Sequence, residues 1–510
     1  MKTNFYIALF SFLFITACEK DIPTHYEYDS YSFTNIDKDA GNWKTTLISS
    51  PLQLNVISPT ATTSPEYIAE LAQLKSTQQS LSDNIQSDIK YWTNNPVLRW
   101  NEIARELIAK YNLIPGPNDD GTYTLPNASN PAGPPPFPFA HPPYACRALA
   151  YLSVAQYDGL ITAWHYKFKY SRAAACTTDP SIRNFHQSST IPSYPSDEAV
   201  VATVSKEILT AMFPLEKEYL AALELKHLAA IKSAGICVQS DVDAGVFIAK
   251  EIAKLALQRA SSDGMKNAQT PKAVADSIKN EAISRFGWSW SNQEIPVRPV
   301  GLTPLFSKVR MWNVPNVESV RPGPPPAFGT DEYEKCVAEL KDYAKNLTRE
   351  RRRIANYWSD GLGTYTPPGH WNEIATEIII GQKLNPIRTA RIMAYMNMAI
   401  MDGGISCWDA KYYYHYPRPI QNIEGFKTIL GTPNFPSYTS GHSVFSSSAA
   451  SVLAYFFPSS AQSVDQMAKE AAVSRIYGGI HWAFDASAGL TQGKAVAQYT
   501  IDLAKKDGAE

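Results

Sequence analysis

The chain repeats itself, and the repeat limits what it can fold into. Trp100-Asn101-Glu102-Ile103-Ala104 returns as Trp371-Asn372-Glu373-Ile374-Ala375. Further along, Arg147, Tyr151, Asp158, Trp164 and Lys167 return as Arg391, Tyr395, Asp402, Trp408 and Lys411, each shifted by 244 positions. The same shift carries Pro192-Ser193-Tyr194 onto Pro436-Ser437-Tyr438, and Gly235, Asp241 and Gly245 onto Gly479, Asp485 and Gly489. One offset across separate segments implies two copies of one unit, each able to bury its apolar face against the other. The Trp-Asn-Glu-Ile-Ala pair is offset by 271 instead, and the additional 27 residues fall in the Pro-rich stretch between Ile114 and Tyr144, which reads as a loop.

Both copies have a helical plan. Glu66 to Trp92 and Glu332 to Trp358 run without internal Gly or Pro and are each preceded by helix-start residues, while Arg391 to Tyr412 places apolar residues at three and four spacing. No run alternates strictly between turn signals. The expected fold is all-α, two similar helical bundles about a pseudo-twofold axis. The organisation expected is a signal peptide over 1–18, a tether and irregular arm over 19–60, a first bundle over 61–268, a Pro-rich linker over 269–329 and a second bundle over 330–510. The linker holds Pro296, Pro299, Pro304, Pro315 and the run Pro322 to Pro326, and is predicted to lie extended over the surface.

A chain of 510 residues that is 44% apolar can bury a large core. A formal charge of -1 and a pI near 6.8 supply no general attraction for nucleic acid. The N-terminus reads as an export signal: Lys2, the apolar run Phe5 to Ile15, then Ile15-Thr16-Ala17-Cys18. That run is too short to span a bilayer core of about 30 Å. Its ending resembles a bacterial lipoprotein processing box, which makes Cys18 the lipidated first residue and anchors the chain to the periplasmic or cell-surface face by lipid alone. The other cysteines, Cys146, Cys176, Cys237, Cys336 and Cys407, form no close metal-binding pair, and their odd number forbids complete internal pairing.

The last third gathers basic residues and histidines in a fixed order. Lys411 precedes Arg418-Pro419, then come Ser440-Gly441-His442, then Ser474-Arg475 with His481 and Asp485 beyond. Three fixed cations can neutralise the oxygens of a tetrahedral oxyanion, two histidines can supply one bond and one proton, and a carboxylate can orient one imidazole. Ser440 and Gly441 suit a helix start, where N–H groups and a hydroxyl cradle an anion. If the segment is helical, Asp485 lies one turn from His481. At the positions of Arg418, His442, Arg475 and His481 the first copy holds Ala174, Glu198, Ile231 and Cys237, though it keeps Lys167, Ser196 and Asp241. One active site per chain is therefore expected, with the first bundle as scaffold.

These residues resemble the three motifs of the phosphatidic acid phosphatase type 2 and vanadium-dependent haloperoxidase superfamily: Lys411 to Pro419, Ser440 to His442, and Ser474 to Asp485. The resemblance implies that His481 bonds to the central phosphorus or vanadium atom. It implies that Lys411, Arg418, Arg475, Ser440 and Gly441 hold the equatorial oxygens, and that His442 serves as acid or base. Thr439 stands where the family usually has proline. Trp408 and Phe435 match aromatic positions near bound vanadate in haloperoxidases, and Phe435 resembles the chloroperoxidase type. The favoured expectation is a vanadate-dependent haloperoxidase taking hydrogen peroxide and halide. The second is a secreted acid phosphatase in which His481 attacks a phosphomonoester, and the third is a non-enzymatic phosphate-binding lipoprotein. The sequence does not fix the halide, the acceptor or whether the chains form a homodimer.

Overall fold

A computed structural model describes residues 31–33, 35–113, 118–120, 139–186, 190–294 and 297–510. Cys18 and the export signal lie outside the described residues, as does most of the Pro-rich insert after Ile114. Among the described residues there are no strands, and the chain is all-α.

The first bundle comprises α1 (Pro65–Gln79), α2 (Asp83–Trp92), α3 (Pro96–Tyr111), α4 (Pro142–Tyr170), α5 (Asp197–Met212), α6 (Lys217–Ser233) and α7 (Gln239–Ser261). After α8 (Lys272–Phe286) the second bundle runs α9 (Asp331–Lys345), α10 (Arg349–Tyr357), α11 (Thr366–Gly381), α12 (Pro386–Tyr414), α13 (Gly441–Phe456), α14 (Ala461–Tyr477) and α15 (Ala483–Ala504). The central helices α4 and α12 are 29 residues each, and α5 and α13 are 16 each.

Local chemistry sets many of these boundaries. Ser64, Ser82, Thr330 and Thr348 each cap a helix by accepting an N–H three residues on. The caps at Ser82 and Thr348 divide the helical stretches Glu66–Trp92 and Glu332–Trp358 in two. Each is a pair, broken where a hydroxyl side chain captures the backbone of the second member.

α4 packs on α12 at the centre, where equivalent residues meet each other. Asn397 Nδ2 donates to Ser153 Oγ at 3.0 Å, and Asn101 Nδ2 donates to Asn372 Oδ1 at 2.8 Å. Contact between a residue and its own counterpart is the mark of an isologous, twofold-related interface.

The linker is more than an extended surface segment. It contains α8 and sends Leu302, Phe306, Val309 and Val314 into the core. From Leu302 it forms a strap over α12 that mirrors the arm lying over α4. Trp164 Nε1 donates to Ile36 O and Trp408 Nε1 to Leu302 O, both at 3.0 Å. Tyr170 and Tyr414 donate to Val56 O and Pro322 O at 2.8 and 2.6 Å. Buried Asp158 accepts the N–H groups of Thr46, Leu47 and Ile48, as buried Asp402 accepts those of Trp312, Asn313 and Val314. Burial raises Asp402 to about 6 against those bonds, which favour the ionised form. The prolines suit the strap because it forms no continuous ladder of backbone bonds, and Asp402 takes three of its N–H groups.

Candidate active site

Each element ends where its functional side chain is needed. α12 carries Trp408 and Lys411 in its final turns, and His415 at φ 50° turns the chain out of the helix toward Arg418. Ser440 caps α13 by accepting the N–H of Ser443 at 3.5 Å. The N–H groups of Gly441 and His442, in the first turn of α13, have no intrahelical partner. α14 carries Ser474-Arg475 in its last turn, and Gly479 at φ 76° reverses the chain to bring His481 back beside it. α15 then starts at Ala483, with Asp485 in its first turn.

The three cations converge without a bonded carboxylate. Lys411 Nζ donates to the carbonyls of Pro436, Ser437 and Thr439 at 2.9, 2.9 and 2.5 Å. Arg418 donates to Phe435 O at 3.1 and 3.0 Å and to Ile480 O at 2.7 Å. Arg475 donates to Ser474 Oγ at 3.0 Å and Ala355 O at 2.8 Å. All three are buried. Burial lowers Lys411 to about 7, and Arg418 and Arg475 to about 10. A buried charge that lacks a counter-ion titrates this way, and a bound polyanion would reverse it.

His481 is oriented by a carboxylate on one side and faces Arg418 on the other. Its Nδ1 lies 2.7 Å from Asp485 Oδ2, which also accepts Ser437 Oγ at 2.5 Å and the Trp482 N–H at 3.1 Å. Asp485 is therefore both the orienting carboxylate and a helix first-turn acid, the role Asp241 plays for Val238 in the first bundle. The carboxylate holds the proton on Nδ1 and leaves Nε2 as a lone pair, 3.0 Å from Arg418 Nη1. Burial, then the neighbouring cations, push His481 well below the usual imidazole range, so the ring is neutral.

His442 Nε2 has no hydrogen bond and lies 3.9 Å from Asp360 Oδ2. Asp360 in turn holds His370 Nδ1 at 3.0 Å. Burial and the Arg475 charge lower His442 well below its ordinary value. Neither Asp360 nor His370 was expected from the sequence motifs. The repeat contains one pointer, since Asp360 follows Trp358 as uncharged Asn94 follows Trp92.

Thr439 follows a cis peptide, as Pro195 does in the first bundle, and its Oγ1 donates to Gln492 Oε1 at 2.7 Å. Trp408 and Phe435 lie 4.9 Å apart between ring centroids, with Lys411 Nζ 5.0 Å from the Phe435 ring. Both rings, His442, Arg475 and His481 line one cavity of about 550 Å³. Lys411, Arg418 and Ser440 are buried beside these residues: Arg418 reaches His481, and Ser440 precedes Gly441 of the lining. Among the described residues no group of three or more His, Cys, Asp or Glu could hold a metal cation; the buried Lys411, Arg418 and Arg475 beside the first turn of α13 are donors that suit an anion.

The equivalent place in the first bundle is filled by the protein itself. Ala174, Ile231 and Cys237 join one apolar cluster. Lys167 pairs with Asp197 at 3.0 Å, Glu198 with His186 at 2.5 Å, and Asp241 with Arg172 at 2.5 Å. The space left is about 20 Å³, little more than a water requires.

Residues 391–508, the segment holding all three motifs, match the family model of the PAP2 superfamily. The fold is similar to that of a bacterial vanadium-dependent iodoperoxidase, at 23% identity and a TM-score of 0.56, over 71% of this chain and 91% of that one. It is also similar to a holo-type bacterial vanadium-dependent chloroperoxidase, at 13% identity and a TM-score of 0.50, over 78% of this chain and 99% of that one. No curated protein matches the sequence.

Proposed function

We propose that this chain is a PAP2-superfamily vanadate-dependent haloperoxidase that uses hydrogen peroxide to oxidise halide. The carrying observation is the set of three buried cations with no bonded carboxylate, grouped around a histidine whose Nε2 is free of protons. A tetrahedral oxyanion satisfies both features. Vanadate would be held by His481, Lys411, Arg418, Arg475, the Ser440 hydroxyl and the Gly441 N–H. When bound, it supplies a Lewis acid that activates peroxide toward halide without changing its own oxidation state.

The chain's own groups do the rest. Asp485 keeps the His481 proton on Nδ1, and so keeps Nε2 a donor of electrons. The cations spread the charge of the anion over fixed, desolvated partners, where electrostatic stabilisation is strongest. His442, neutral while the cations stand uncompensated, gains basicity once an anion offsets Arg475, and can then take a proton at Nε2. Asp360, 3.9 Å away, stabilises that protonated ring. The overall change is R–H + X⁻ + H₂O₂ + H⁺ → R–X + 2 H₂O.

A second reading is favoured by the family match and by His481 itself. An oriented, unprotonated Nε2 among cations can attack a phosphomonoester, with His442 protonating the leaving oxygen. The distance from lipid phosphatases lies in the helices, since among the described residues none is long and apolar enough to cross a membrane. We also propose that Cys18 carries a lipid anchor and that the protein works on the exported face of the envelope. The test is bromination of an organic acceptor by protein lacking residues 1–18, given orthovanadate, hydrogen peroxide and bromide. Vanadate-dependent turnover supports the haloperoxidase; phosphate release from a phosphomonoester, inhibited by vanadate, would replace it with the phosphatase.

A further inference from the structure

The cavity beside the anion seat is far larger than the proposed small reactants need. Halide and peroxide are comparable to water, whose share of liquid volume is about 30 Å³. The cavity measures about 550 Å³, the size that encloses most of an organic ligand. Its walls come from both halves of the chain. The first bundle contributes Phe139 and His141, the segment before the strap contributes Glu294 and Arg298, and the second bundle contributes Trp408, Phe435 and Phe445.

Charge in the outer part is already spent within the protein. Arg298 makes a two-pronged bond with Glu294 at 2.8 and 2.6 Å, and Asp360 is held by His370. A second charged group on the ligand would find no free partner there. Four aromatic rings line the space; Trp408 lies 4.9 Å from Phe435 and 6.4 Å from Phe445. Rings so placed favour an aromatic guest, which stacks or meets them edge to face.

The His141 ring supplies a directed donor. His141 caps α4, its Nδ1 accepting the Tyr144 N–H at 3.3 Å. That bond forces the ring proton onto Nε2, and none of the hydrogen bonds among the described residues engages that nitrogen. Burial and the nearby Arg298 charge lower its pKa to about 3, so the ring stays neutral and the donor permanent.

We infer that this cavity binds an uncharged aromatic acceptor through an oxygen that accepts the His141 Nε2–H, so that the first bundle selects the organic substrate of the second bundle's chemistry. The chemistry rests on the halogenation reading; the binding site does not. Direct binding to the full chain separates the two.

The experiment titrates 2-naphthol into the protein without vanadate, peroxide or halide, followed by fluorescence and calorimetry, with cyclohexanol as the non-aromatic comparison and tungstate as a separate probe of the anion seat. The key variant is His141→Asn. The second bundle caps its equivalent helix with Asn385, accepting the Arg388 N–H at 2.9 Å, so the substitution keeps the cap while its shorter side chain no longer places a donor where His141 Nε2 stands. Expected are one saturable 2-naphthol site, about tenfold weaker binding in His141→Asn, weaker binding again in Phe139→Ala, and tungstate affinity unchanged in both. No 2-naphthol binding, equal affinity for cyclohexanol, or full affinity in His141→Asn overturns the proposal. Loss of tungstate binding in the unmodified chain would instead remove the anion-seat reading.

Discussion

The two bundles share their caps, straps and central helices, and differ in how they treat one buried lysine. In the first, Lys167 faces Asp197 at 3.0 Å, and neighbouring positions have closed into an apolar cluster. In the second, Lys411 meets only carbonyl oxygens, and the position of Asp197 is Gly441. The first bundle thus carries its own anion, whereas the second leaves a place for one from solution. Three buried cations without a bonded carboxylate are costly, and the sister copy avoids that cost by replacing both arginines and pairing its lysine, so the fold alone does not demand it.

The largest expected effect is loss of the histidine that faces the anion. His481→Ala should lower turnover about a thousandfold or more, while Cys237→Ala at the matching place leaves it unchanged in the same assay. A fully active His481→Ala would remove the site assignment altogether.

Importing the first bundle's carboxylate comes next. A Cβ at Gly441 would meet its nearest neighbours at 3.9 and 4.0 Å, ordinary contacts, so Gly441→Asp should fold. Its carboxylate should occupy the partner role for Lys411 and weaken tungstate binding about a hundredfold. Asp197→Gly should create no second site, because the first bundle lacks the two arginines and the histidine.

A subtler effect concerns protons. Lys411 is held near 7 in the free site, and a bound anion raises it. Binding above pH 7 must therefore take up a proton, and affinity for tungstate, whose charge is constant in this range, should fall as pH rises, by at most about tenfold per unit. Below pH 7 the lysine is already charged and this dependence should vanish. Calorimetry in buffers of different ionisation heat counts the proton; a flat profile would mean that Lys411 keeps its charge without an anion.

The smallest change is expected at Asp360. Asp360→Asn should lower turnover about tenfold and move the limb of the pH–rate profile that reports His442 to lower pH, since the protonated ring loses its counter-charge. Unchanged pH dependence would reduce Asp360 to a support for His370.

Much of this was legible in the residues because helical repeats and anion motifs are local. Trp408, Lys411, His442 and His481 could be placed by comparing one copy with the other, and Asp485 by its spacing of four from His481, although His481 stands ahead of α15 rather than within it. Asp360 and His370 could not, since their contact with His442 depends on how α10 and α11 are brought against α13, a tertiary relation with no spacing signature. Phe139 and His141 were hidden for a similar reason, as they reach the second bundle's cavity from the first. The linker was misjudged because proline content reports backbone stiffness and not which side chains will bond to it. The breaks at Ser82 and Thr348 were not legible because a capping hydroxyl looks like any polar residue until the chain turns.

One measurement bears most directly on the contrast between the bundles: calorimetric titration of tungstate into the full chain and into Gly441→Asp at pH 6.5. The expected result is one site per chain in the first and strongly weakened binding in the second, with the folded state of both confirmed by circular dichroism. Two sites per chain, or unchanged affinity in a folded Gly441→Asp, would contradict the view that one bundle supplies its own anion and the other waits for one.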